Sequence, residues 1–193
     1  MKHHFFALLS RMKYIFRWPL MRNTRSENIC EHSYEVAVVA HALALLHNKR
    51  YGGTVNVERC VLLAMYHDTT EILTGDLPTP VKYDNPAILQ AYRSVEQAAA
   101  DRLIEQLPAD LQNEYRTLLW QADADEQERC IVKAADKISA LIKCIEEVKQ
   151  GNNEFKQARK SVERAVRAMN LPAADCFLDE CIPSFALTLD EQQ

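Results

Sequence analysis

Apolar residues recur three and four positions apart through most of this chain, the spacing that lines one face of a helix. The first such stretch, residues 3–15, reads as a short amphipathic helix. Arg17-Trp18-Pro19 ends it, because the residue before a proline is pushed out of helical geometry. Residues 19–28 read as a polar loop. Asn28 and Glu31 have the spacing of a capping box and predict a helix over 29–48, with Val36, Val39, Ala40 and Leu43 on its inward stripe. His32, four residues before Val36, extends that stripe. Gly52-Gly53 marks a turn, and Asn56 caps a helix over 57–73 that is almost wholly apolar from Cys60 to Tyr66. Gly75 stops it, and Asp76-Leu77-Pro78-Thr79-Pro80 reads as a rigid loop.

Helical patterns resume over 86–106, 109–120 and 126–150, the last turning Ile131, Val132, Ala135, Ile138, Ile142 and Ile145 inward. Gly151 ends that helix, and Asn152 or Asn153 caps another through 170. A short helix over 173–181 precedes a C-terminal tail. No strand alternation competes with these patterns. The expected fold class is all-α, as one compact helical domain over residues 1–193.

Composition narrows the picture without changing it. Only four glycines occur, which disfavours hairpin-rich folds, and 48% hydrophobic residues in 193 suffice for a real core. A net charge of −4 with no basic block argues against a nucleic-acid polymer as partner but permits a small anion. The six cysteines form no CxxC pair and read as free thiols of a reducing cytoplasm. The apolar run Phe5–Leu9 is too short for a signal sequence, and no segment reads as long enough to span a bilayer. A soluble, cytoplasmic protein without a membrane partner is the expectation.

The chemistry centres on His67-Asp68. A carboxylate in so apolar a stretch needs compensation by a basic side chain, a hydrogen-bond network or a metal. No Lys or Arg occurs from Cys60 to Asp68, so a metal is a natural counter-charge. Glu71, one helical turn on, faces the same side and can act as general acid or base. His32 is inward on the preceding helix, and Asp136 adjoins the apolar side of a later one. Two imidazoles and two carboxylates suit Mn, Fe, Co or Zn, with positions left open for water and substrate oxygens. Helical spacing alone does not bring Asp136 to the same point.

The order His32, His67-Asp68, Asp136 resembles the HD-domain metal-dependent phosphohydrolases. The flanking segments Arg17–Met21, Glu31-His32-Ser33, Ala64–Asp68, Leu73–Tyr83, Gly151–Phe155 and Pro183-Ser184-Phe185 are similar to the bacterial 5′-deoxynucleotidase branch, over nearly the whole chain. Thr69-Thr70 departs from the small residues expected there.

The resemblance implies an all-helical HD-domain fold with its metal-site core at about residues 28–150. It implies His32, His67, Asp68 and Asp136 as ligands of one divalent ion per subunit, Co2+ favoured, Mn2+ next, with Zn2+, Fe2+ or Mg2+ possible. It makes Arg17 the residue that orients the substrate phosphate and Trp18 a wall of the sugar site, whose bulk disfavours a ribose hydroxyl. Arg17, Glu71 and Asp76 are the catalytic candidates. Arg17, Trp18, His32, Asp68, Asp76, Leu77, Pro78, Thr79 and Asp136 are the substrate-binding ones. The implied reaction is hydrolysis of a 2′-deoxyribonucleoside 5′-monophosphate to deoxynucleoside and phosphate, by a homodimer. The alternatives are an HD-fold hydrolase of triphosphate or cyclic nucleotides, a non-catalytic nucleotide-binding module, or a purely structural helical protein.

Overall fold

A computed structural model describes residues 2–82, 84–120 and 125–193, and their regular structure is helical. Tyr83 of the Leu73–Tyr83 motif lies outside the described residues, as does the side chain of Thr79. The elements are α1 (Phe5–Leu9), α2 (Ile29–Arg50), α3 (Val57–Tyr66), α4 (Glu71–Thr74), α5 (Thr79–Lys82), α6 (Pro86–Ile104), α7 (Gln112–Leu119), α8 (Glu126–Lys149), α9 (Lys156–Arg167) and α10 (Pro172–Glu180). Short 3-10 turns cover Ser10–Tyr14, Asn153–Phe155, Ile182–Ala186 and Asp190–Gln192. The all-α expectation is borne out.

The chain divides into two compact units. The first comprises Met1–Leu20, Ser26–Ser33 and Tyr66–Ala124. Here α6 is the pillar, and α1, α4, α5 and α7 pack on it. Phe5, Leu103 and Leu107 form its buried centre, flanked by Leu8, Leu9, Tyr115 and Leu119. Residues 15–17 run antiparallel to 27–29: Arg17 N–H donates to the Glu27 carbonyl at 2.9 Å, Ile29 N–H donates to the Ile15 carbonyl at 2.9 Å, and Phe16 and Asn28 pair as a single bridge. That pairing runs straight into α2. Asn28 Oδ1 accepts from the N–H groups of Cys30 and Glu31, both at 3.0 Å, and Glu31 returns a carboxylate to Asn28 N–H, which is the predicted capping box.

Two sequence expectations change here. The helix over 57–73 breaks after Tyr66, and residues 67–70 form a turn with three-residue bonds such as Glu71 N–H to the Asp68 carbonyl at 3.0 Å. The Asp76–Pro80 loop ends sooner than its prolines suggest. Val81 and Lys82 N–H groups bond the Pro78 carbonyl, so Pro80 falls in the first turn of α5, where a missing N–H costs nothing.

The second unit comprises Met21–Arg25, Tyr34–Met65 and Asp125–Gln193. Its axis is α8, against which α9 and the 182–186 turn pack, with α10 on α9. Ile131, Ile138, Ile142 and Ile145 are buried along α8, as its periodicity required. Near its end Glu147, 1% exposed, accepts from Thr24 N–H at 2.9 Å, Thr24 Oγ1 at 2.7 Å, Asn152 Nδ2 at 2.8 Å and the Lys143 ammonium. Burial pushes that carboxyl up, but the hydrogen bonds from Lys143, Thr24 and Asn152 outweigh it and hold it well below its ordinary range. Gly151, at φ +86°, turns the chain out of α8 and lets Asn152 reach back.

By length and composition α2 is apolar enough to cross a membrane, against the expectation that no segment is. Its apolarity has a packing explanation: Val36, Val39, Ala40 and Leu43 are core residues.

Candidate metal centre

His32 lies in the first turns of α2 and is fully buried. His67 and Asp68 lie on the turn after α3, both half-buried. Asp68 Oδ2 stands 3.1 Å from His67 Nε2 and 3.6 Å from His32 Nε2. The two imidazole rings are 5.3 Å apart and inclined at 59°. One donor atom from each of the three residues falls within 4.8 Å of the others. Two neutral imidazole nitrogens and one carboxylate oxygen, converging in this way, fit a divalent transition metal. All three belong to the first unit.

Around this triad stand further charges. Glu71, at the start of α4, is buried, and its Oε2 has no hydrogen-bond partner among the described residues. Burial, reinforced by the charges of Asp68 and Asp76, pushes its carboxyl up to about 10, against the opposing pull of Arg17 and Lys82. Asp76 is raised by burial and by Asp68, while Arg17, a hydrogen bond from Trp18 N–H and His32 oppose the rise. Arg17, His32, Asp68, Glu71 and Asp76 therefore share one electrostatic neighbourhood. Leu77 and Pro78 are half-buried beside Asp76, and Thr79 opens α5.

Asp136 is a residue of the second unit, half-buried on α8 between Ala135 and Lys137.

The loop that carries Asp76 is anchored by residues that sequence reasoning assigned no role. Tyr92 OH on α6 lies 3.3 Å from Thr74 Oγ1 and donates to the Gly75 carbonyl at 3.4 Å. Lys82 pairs with Glu96 at 2.9 Å and lies over the Tyr92 ring. Glu27 was also missed. Its carboxylate accepts from Arg17 Nη1 at 2.8 Å and from Trp18 Nε1 at 3.2 Å. In sequence Glu27 is one acidic residue in a polar loop, and only the pairing of 15–17 with 27–29 brings it beside Arg17.

With this geometry in place, similarity to known proteins becomes informative. The family model described as 5′-deoxynucleotidase YfbR-like matches residues 4–185. A protein named 5′-deoxynucleotidase from Yersinia pestis (strain Pestoides F) is 52% identical over 188 residues, covering 97% of this chain and 95% of its own. Its namesake from Yersinia pseudotuberculosis (strain YPIII) matches to the same extent. Among solved structures, an HD-domain phosphohydrolase from Listeria innocua superposes with a TM-score of 0.83 at 26% identity, covering 98% of this chain and 91% of that one. The cyanophage S-2L HD phosphohydrolase DatZ, bound to dA and one catalytic Zn2+ ion, shares the fold with a TM-score of 0.65 at 17% identity, over 92% of this chain and 96% of its own. The matched length and the 52% identity, together with a His-His-Asp cluster in an all-helical fold, settle the family: this chain belongs to the 5′-deoxynucleotidase YfbR-like proteins.

Proposed function

We propose that this protein is a metal-dependent 5′-deoxynucleotidase, hydrolysing 2′-deoxyribonucleoside 5′-monophosphates to a deoxynucleoside and inorganic phosphate. The observation that carries the reading is the convergence of His32, His67 and Asp68 beside Arg17 and Glu71. Relatives bearing the name 5′-deoxynucleotidase at 52% identity support the substrate class. The dA-bound neighbour supports a nucleoside moiety at the site.

His32, His67 and Asp68 would hold the metal, with Asp136 as the fourth ligand on the strength of the family pattern. When bound, a divalent ion supplies Lewis acidity, lowering the pKa of water and withdrawing charge from a phosphoryl oxygen. Co2+ is the favoured ion and Mn2+ the next, one per subunit. The Zn2+ of the cyanophage neighbour keeps that ion in view.

The chain's own residues do the rest. The planar fork of Arg17 binds phosphate oxygens and steadies the charge that grows on them. Trp18 walls the sugar at its 2′ carbon. Asp76, Leu77, Pro78 and Thr79 line the substrate loop, with Asp76 holding the sugar or aligning the attacking water. Water attacks phosphorus in line as the bond to the 5′ oxygen breaks. Burial and the charges of Asp68 and Asp76 favour the protonated form of Glu71, which suits it to protonate the departing 5′ oxygen. We read residues 1–193 as one catalytic domain; the family resemblance further implies a cytoplasmic homodimer. Asp68→Asn tests the reading: phosphate release from dAMP is expected to fall at least about a hundredfold, and undiminished turnover would sink it.

A further inference from the structure

One carboxylate oxygen ties together the two residues assigned to the phosphate and the sugar. Glu27 Oε2 accepts from Arg17 Nη1 at 2.8 Å and from Trp18 Nε1 at 3.2 Å. The Arg17 and Glu27 side chains are each only 13% exposed. The Arg17 guanidinium carbon lies 5.8 Å from the Trp18 ring centre, so the cation and the indole flank a common acceptor.

Trp18 adopts φ +61°, a left-handed conformation that a bulky side chain keeps only where its surroundings impose it. Two carboxylates do so here. Asp76 takes its backbone N–H and Glu27 takes its indole N–H. Glu27 is itself fixed, because its carbonyl accepts Arg17 N–H at 2.9 Å and Asn28 after it caps α2. The same helix carries His32. A short, rigid run of chain thus links the start of the metal-bearing helix to Arg17 and Trp18.

We propose that Glu27 is a positioning residue and a determinant of sugar specificity: it orients Arg17 and Trp18 as one unit, so that the phosphate grip and the wall at the 2′ carbon stay in register. A charge-assisted acceptor suits this task, since it holds both donors more firmly than a neutral group. The inference rests on the deoxynucleotidase reading above.

The test is kcat and KM for dAMP and AMP with wild type, Glu27→Ala, Glu27→Gln and Glu27→Asp. Glu27→Ala is expected to lower kcat/KM for dAMP by about ten- to a hundredfold, the scale of a displaced positioning group. It should also lower the dAMP:AMP preference by at least about threefold. Glu27→Gln keeps an acceptor oxygen at the same reach and should restore most of that preference. Glu27→Asp keeps the charge but shortens the reach and should not. A wild-type dAMP:AMP ratio in Glu27→Ala overturns the proposal. If Glu27→Ala does not fold, a wild-type ratio in Glu27→Asp overturns it. A Gln variant as unselective as the Asp variant overturns it too. An active wild type with an unaltered Glu27 series defeats this inference alone, whereas a wild type inert toward dAMP defeats the reading beneath it.

Discussion

His67 Nε2 and Asp68 Oδ2 meet at 3.1 Å although the two residues are neighbours in sequence. On a continuous helix their side chains would diverge by about 100°. Here α3 ends at Tyr66, residues 67–70 form a turn, and both side chains lie beside His32.

The buried carboxyl of Glu71 predicts how the metal-free protein responds to pH. Its folded value of about 10 lies above its ordinary value of 4.5. Below the ordinary value the group is protonated in folded and unfolded chains alike, and it costs nothing. As pH rises, the unfolded chain releases the proton while the folded one keeps it, so stability declines through the window up to about 10. The thermal midpoint of EDTA-treated protein should fall from pH 5 to pH 9, and Glu71→Gln should flatten that fall. Adding Mn2+ should flatten it as well, because a cation at the triad offsets the repulsion from Asp68. Identical slopes in wild type and Glu71→Gln would refute the account.

Trp18 supplies a second prediction, about the sugar. Replacing its indole by a methyl group opens space at the 2′ carbon. Trp18→Ala should therefore reduce the dAMP:AMP ratio of kcat/KM by about tenfold. An unchanged ratio would remove the steric explanation of deoxyribose preference.

Thr69 departs from the small residue expected between Asp68 and Thr70, and it is fully buried. Its Oγ1 has no hydrogen-bond partner among the described residues, and a buried hydroxyl left unpaired costs about 1–3 kcal/mol. Thr69→Val keeps the shape and removes the hydroxyl. It should raise the thermal midpoint by about 2–4 °C, measured by calorimetry on metal-loaded protein. A lower midpoint would mean that the hydroxyl has a stabilising partner.

Much of this was legible in the sequence, and the exceptions share a cause. The Asn28–Glu31 box, the Asn56 cap on Arg59 N–H and the inward face of α8 rest on local chemistry, and local chemistry is what spacing encodes. The break at residues 67–70 was not legible, because apolar spacing continues through it to Ile72 and Leu73. Glu27, Tyr92 and Lys82 were passed over because their roles depend on partners brought close by folding. Glu27 meets Arg17 through an antiparallel pair of segments that are too short to read as strands. The triad's chemistry was legible as residue types, while its closure at 3.1 and 3.6 Å needed the structure.

The most direct test of the central claim is phosphate release from a panel of 5′-monophosphates by the full-length protein, before and after EDTA and after repletion with Co2+, Mn2+ or Zn2+. Release from dAMP should exceed release from AMP, vanish with EDTA and return with Co2+ or Mn2+. Release that persists through EDTA treatment, or none from any deoxynucleoside monophosphate in the presence of these metals, would contradict it.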